Sequence, residues 1–223
     1  EQTMRTIAPN TPVFSDIGPD IRWVGNENGF AGTTNWNLLD TAGFSRGAGS
    51  PSTDTLNSGN ENGKNWIPAE CDVSIRPGWF YHANEDEKVK TPEQLFDLYL
   101  KSAGRGASLL LNVPPDRRGL INEHDSAALV GFKKLRDESF KTNLAAKAKK
   151  EIFYDNALFT KQTFADGNLK TFEKNTDYKN TAYSLKFPAA QTINCIILHE
   201  AIEYGQRVSS FSIDLLDGAN VLQ

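Results

Sequence analysis

Residues 64 to 82 read Lys-Asn-Trp-Ile-Pro-Ala-Glu-Cys-Asp-Val-Ser-Ile-Arg-Pro-Gly-Trp-Phe-Tyr-His, and they concentrate the chemistry of this chain. Glu70 follows a Pro-Ala step and Asp72 lies two residues on, with Trp66, Trp79, Phe80, Tyr81 and His82 around them. Aromatic rings pack on the apolar C–H faces of a pyranose, and one carboxylic acid can protonate a departing glycosidic oxygen. Carboxylates among aromatic rings are what the cleavage of a sugar linkage needs. By residue type alone, a Glu in a tryptophan-rich loop is more often a solvated or hydrogen-bonded surface carboxylate. The bland reading therefore stands until a longer pattern speaks against it.

Other chemistries find little support. His82, His124 and His199 are dispersed without metal-ligand spacing, so no catalytic metal is expected. There is no Ser-His-Asp arrangement, phosphate loop or dinucleotide fingerprint, and no cofactor is expected. A net charge of −4 without a basic patch speaks against a nucleic-acid partner. No apolar run approaches a membrane span. Cys71 and Cys195 fall in what read as different domains, which speaks against a stabilising disulfide. None of the asparagines sits in an Asn-x-Ser/Thr sequon, which speaks against a eukaryotic secreted protein.

At 223 residues and 39% hydrophobic content the chain can hold one large domain or two small ones. Residues 1–10 look like the tail of a helix, and residues 11–16 form a short apolar strand. From Gly18 to Asn65 the chain is rich in Gly, Asn, Ser and Thr and reads as a long functional loop. Thr91-Pro92-Glu93-Gln94 opens a helix with Thr91 as cap, and residues 108–113 form an apolar strand stopped by Pro114-Pro115. Asn122 caps a second helix with Ala128, Leu129, Phe132 and Leu135 at helical spacing.

That order suits an α/β fold, either part of a (β/α)8 barrel or a doubly wound sheet, and periodicity does not choose between them. Residues 141–150 read as a linker. Beyond it, residues 183–187, 192–198 and 210–215 alternate like strands of an antiparallel sandwich. Both ends read as cut from a longer protein.

The pattern Trp-x-Pro-Ala-Glu-x-Asp-x-Ser-x-Arg-Pro-Gly-Trp-Phe resembles the acid/base region of the α-L-fucosidases of glycoside hydrolase family 29, and most of all the branch that cleaves α-1,3/1,4-linked fucose. The stretch from Ser15 to Glu27, the helix from Thr91 to Leu100 and the strand Leu109-Leu110-Leu111-Asn112-Val113-Pro114 carry the resemblance further, over roughly residues 10 to 140. It implies the C-terminal portion of a (β/α)8 barrel over residues 1–140. After the linker, a partial all-β galactose-binding-like (discoidin-like) sandwich over residues 151–223 is implied.

Carried over residue by residue, the resemblance makes Glu70 the general acid/base of a retaining enzyme. Arg22 becomes a ligand of the fucose ring or its neighbouring carboxylate, and Trp79 a platform for the fucose methyl and ring face. By residue type, Arg22 could equally pair with a structural acid and Trp79 could fill a core. The loop His82-Ala83-Asn84-Glu85-Asp86-Glu87 is placed at the pocket rim, where His82, Glu85 and Asp86 would meet the leaving-group sugar; a solvated acidic turn is its plain alternative.

The family's nucleophile sits in a Trp-Phe-Asp-Gly stretch that this sequence lacks, so it is expected upstream. The implied partner is a fucosylated oligosaccharide, and the implied location is periplasmic or secreted, in a bacterium. A rival reading is a non-catalytic carbohydrate-binding protein that uses Phe153, Tyr154, Phe159 and Phe164 on the sandwich.

Overall fold

The computed structural model describes residues 2–45, 47–155, 157–159, 164–174, 181–218 and 220–221. The chain divides into two compact units, Glu1–Glu138 and Ser139–Gln223. In the first, α1 (Gln2–Ile7) leads to β1 (Phe14–Ser15) and β2 (Ile21–Trp23). Next come β3 (Leu38–Leu39), α2 (Thr53–Ser58), β4 (Asn65–Trp66) and β5 (Ala69–Ser74), then α3 (Pro92–Lys101), β6 (Ser108–Asn112) and α4 (Glu123–Ser139). Strands β1, β2, β5 and β6 lie in that order in one all-parallel sheet, an α/β arrangement.

Register decides which side chains share a face, because partners across a parallel ladder point the same way and neighbours along a strand alternate. Trp23 lies beside Glu70, Glu70 beside Ser108, Asp72 beside Leu110 and Ser74 beside Asn112. Arg22 lies beside Ala69, Cys71 beside Leu109 and Val73 beside Leu111 on the opposite face. That second face is the packed one. Val73 joins Ile75 with Leu95 and Leu98 of α3 and Ala128 of α4, flanked by Leu109, Leu111, Leu129 and Phe132. The sequence accounts for α3 directly: the Thr91 hydroxyl accepts from the Gln94 amide while the Gln94 side chain accepts from the Thr91 amide, a complete capping box.

The stretch 18–65 is not the structureless loop that its composition implied. It contains β2, β3 and α2, and β3 pairs antiparallel with β4. Arg22 is what fastens it. Its guanidinium donates to the carbonyls of Leu56 and Trp36 at 2.8 Å each, to the Asn35 side-chain oxygen at 3.0 Å and to the Ile67 carbonyl. The residue is fully enclosed, and burial pulls the guanidinium pKa down to about 10. This corrects the sugar-binding reading of Arg22. Alternation puts its side chain on the face opposite Glu70, and its donors serve backbone carbonyls that a long buried loop must satisfy.

The second unit holds β7 (Lys149–Tyr154), β8 (Ala157–Phe159) and β9 (Thr181–Lys186) as an antiparallel sheet of order β8-β7-β9, and a separate pair, β10 (Leu216–Asp217) with β11 (Asn220–Val221). Glu151 is buried in β7 between the ammonium groups of Lys149 and Lys186, at 2.9 and 2.6 Å. The expected linker is partly structured, with a short 3-10 turn at Leu144–Lys147 and the start of β7. Residues 192–198 and 210–215, which alternate like strands, take no regular structure, and Ile193, Ile196, Ile197, Leu198, Phe211 and Ile213 are exposed. Alternation is necessary for a strand, but a ladder also needs a partner with free donors and acceptors. Among the described residues the second unit is one small sheet and a pair rather than a sandwich.

Truncating Arg22 takes its donors away from the carbonyls of Leu56, Ile67 and Trp36 in a dry interior. Arg22→Ala is expected to lower stability by about 2–4 kcal/mol, measured as the shift in urea midpoint at unchanged slope. A loss below about 0.5 kcal/mol would show that the loop is held by other means.

Candidate active site

A parallel sheet has two unlike ends, and α/β proteins bind their ligands outside the carboxyl ends of the strands, where the loops are free to vary. Glu70 is the second residue of β5, which runs from Ala69 to Ser74, so it sits at the amino end. An acid/base residue of a (β/α)8 barrel belongs at a strand's carboxyl end, so this placement departs from the role that the resemblance implied for Glu70. The motif is long enough to span the whole strand, and its Arg-Pro-Gly-Trp-Phe part falls after Ser74. Glu70 shares its face with Trp23 and Asp72, and the Trp23 indole N–H donates to Asp72 Oδ1 at 2.6 Å. Partial burial and then the nearby Asp72 charge raise the Glu70 pKa. On the packed face, burial foremost pushes the neighbouring Cys71 thiol up to about 12.

The carboxyl end is built by three strands. The chain leaving β2 passes Gly25 and Gly29, both with left-handed φ (81° and 79°), and presents Glu27 between them. A Cβ on Gly29 would fall 2.6 Å from Val73 Cγ1, so only glycine lets this turn lie against β5. After β5 the turn Arg76-Pro77-Gly78-Trp79 folds back, and the Trp79 indole N–H donates to Glu27 Oε2 at 2.8 Å. From the end of β6, Asn112 donates to the Trp79 carbonyl and to Ser74 Oγ, each at 3.0 Å, and Ser74 Oγ donates to the Gly78 carbonyl at 2.7 Å. In the sequence, Glu27 figured only as the last residue of the stretch from Ser15 that carries the family resemblance. A signal was present: Gly-Asn-Glu-Asn-Gly directly after a strand is an exposed acid on a glycine turn.

The rim residues divide. Arg76 is enclosed and meets Asp125 of α4 at 2.7 Å and Asp86 at 2.9 Å, with the Tyr81 ring centroid 4.7 Å from its guanidinium carbon. Asp86 is thereby committed to Arg76, which corrects its reading as a sugar ligand: its carboxylate answers a buried cation. Glu85 is half-buried in the short 3-10 turn Ala83–Lys88, and His82 is exposed before it. Trp79 is brought to a carboxylate, but to Glu27 and not to Glu70.

A cleft of about 610 Å³ lined by Ile17, Phe44, Lys64 and Trp66 contains neither acid. In the second unit Phe164 packs edge-on against Tyr183 at 5.1 Å, and Phe153 and Tyr154 are half-buried in β7. The side chain of Phe159 lies outside the described residues, and the other three rings form no exposed platform. No group of three or more His, Cys, Asp or Glu that could hold a metal occurs among the described residues. No helix among them is long and apolar enough to cross a membrane.

Comparison with known proteins finds likenesses of one kind. Residues 42–135 match the family model described as Alpha-L-fucosidase. The chain is 38% identical over 213 residues to Alpha-L-fucosidase 1 of Arabidopsis thaliana, covering 93% of this chain and 41% of that protein. It is 41% identical to a solved glycoside hydrolase 29 family member from an unknown rumen bacterium, with a TM-score of 0.60 over 68% of this chain and 28% of that one. A Ruminococcus gnavus family 29 fucosidase, solved in complex with fucose, is 29% identical with a TM-score of 0.55, over 68% of this chain and 31% of that one. The chain thus spans about two fifths of the length of the curated relatives it matches.

The raised Glu70 pKa has a consequence for stability. A carboxylate whose folded pKa exceeds its unfolded value holds a proton more tightly when folded, so stability declines as pH rises above the ordinary value of 4.5. Glu70→Gln removes that dependence. Relative to wild type, the variant is expected to gain stability between about pH 4.5 and neutrality. Denaturant midpoints across that range check it, and parallel curves would refute it.

Proposed function

Because this likeness is to the alpha-L-fucosidases, we propose that the protein is a retaining glycoside hydrolase that removes terminal α-L-fucose from oligosaccharides, with Glu27 as its general acid/base. The observation that carries the assignment is Glu27 at the carboxyl end of β2, held by the Trp79 indole N–H. That bond makes Oε2 an acceptor, so a proton carried by the carboxyl group sits on Oε1 and can be passed to a leaving oxygen. In the first step Glu27 protonates that oxygen; in the second it draws a proton from the water that attacks the fucosyl-enzyme intermediate.

The nucleophile of this scheme is assigned to the part of the relatives' length that this chain does not span. Trp79 offers its ring face to the C–H groups and methyl of fucose. His82 and Glu85 follow it at the rim, on the leaving-group side. A preference for α-1,3/1,4 branches rests on the motif of residues 66–80 and belongs to the proposal. Glu70, at the other end of β5 beside Asp72, is left outside the chemistry.

In the intact protein, Glu27→Ala should slow release of fucose from a branched trisaccharide by about 10²–10⁴-fold. An aryl fucoside whose leaving group needs no protonation should suffer much less in the first step. Azide should restore turnover on the aryl fucoside, because it attacks without a general base. Glu70→Ala should show neither the leaving-group dependence nor the rescue. If it shows both and Glu27→Ala neither, the acid/base is Glu70.

A further inference from the structure

We propose that Asn112 is a positioning residue for the general acid, acting through Trp79 without touching the sugar. The proposal rests on the assignment of Glu27 above. Glu27 is exposed on a turn bracketed by two left-handed glycines, so its own strand does little to fix where its carboxyl group lies. The constraint comes from outside, from the Trp79 indole N–H at 2.8 Å. Trp79 in turn stands on the turn that follows β5, whose direction depends on what holds its carbonyls.

Two carbonyls are held, and one amide accounts for both. The Asn112 Nδ2 group donates to the Trp79 carbonyl and to Ser74 Oγ, and the Ser74 hydroxyl, oriented by that contact, donates to the Gly78 carbonyl. Asn112 closes β6 in register with Ser74 at the end of β5, so both side chains rise on the same face at the carboxyl end. The relay therefore crosses three strands, from the end of β6 through the β5 turn to the β2 turn. It calls for an NH2 group, which has two donors. An aspartate of the same shape has none and would set a charge against the Trp79 carbonyl.

The test uses the intact protein, a branched fucosylated trisaccharide and an aryl fucoside with a good leaving group. Asn112→Ala and Asn112→Asp should each lower kcat/KM on the trisaccharide between about 10- and 100-fold, the cost of a misplaced catalytic group. The aryl fucoside should lose much less. Trp79→Phe, which keeps the ring and removes the N–H, should show the same split on the two substrates. The Asn112→Ala/Trp79→Phe double variant should be no worse on the trisaccharide than the worse single, because both cut one relay.

Equal losses on the two substrates, or additive losses in the double variant, would overturn the proposal and leave Asn112 as a support of the fold. If Asn112→Ala does not fold, Asn112→Ser, which keeps one donor, takes its place and should give the same split at smaller size. Glu27→Ala is measured alongside. If it shows no leaving-group dependence, the assignment of Glu27 and this proposal fall together; if it does and the Asn112 variants do not, only the positioning role falls.

Discussion

Arg76 leaves the end of β5 fully enclosed, with Asp125 of α4 at 2.7 Å on one side, Asp86 at 2.9 Å on another and the Tyr81 ring against its guanidinium. A buried cation of this kind is tolerable only with its partners in place, since removing one from a buried pair costs about 3–5 kcal/mol. Bidentate contact with Asp125 also fixes direction, because a guanidinium presents its donors in a rigid planar fork. The turn that carries Trp79 begins at this residue, and the 3-10 turn that carries Glu85 and Asp86 is pinned to it. The geometry at the carboxyl end of the sheet follows from this one desolvated charge and its two carboxylates.

The same economy of buried charge explains the other enclosed arginine. Arg22 makes no ion pair with a carboxylate among the described residues and is satisfied instead by carbonyls and an amide of the long connection between β2 and β5. Without an anion to offset desolvation its pKa falls, which is the physical mark of a donor spent on neutral acceptors. The two arginines thus divide the work. Arg22 keeps the connection against the packed face, and Arg76 holds the turn that carries Trp79 at the free end.

Two carboxylates competed for the role of acid, and strand direction separates them. Glu70 lies within the most distinctive motif and has a raised pKa, yet it starts its strand, with partial burial and Asp72 as sufficient causes of the shift. Glu27 lies at the edge of a weaker motif, but it stands on the turn that follows a strand and meets an aromatic N–H. A perturbed carboxyl group marks a site only when it also faces the space where a substrate can arrive.

Much of the first unit was legible in the sequence, because its signals are local. The Thr91 capping box, the apolar run of residues 108–113 and the cap at Asn122 each name an element through chemistry within a few residues. The likeness to fucose-cleaving enzymes was legible too, as a long pattern of residue types. What the sequence could not supply was the third dimension of that pattern. Whether Glu70 begins or ends a strand, whether Arg22 faces the chemistry or the core, and which acid the Trp79 indole reaches are set by register among strands spread from Phe14 to Asn112. The strand-like runs beyond residue 190 teach the same lesson in reverse. Alternation is written in one segment, but a ladder needs two, and only the tertiary structure brings the second.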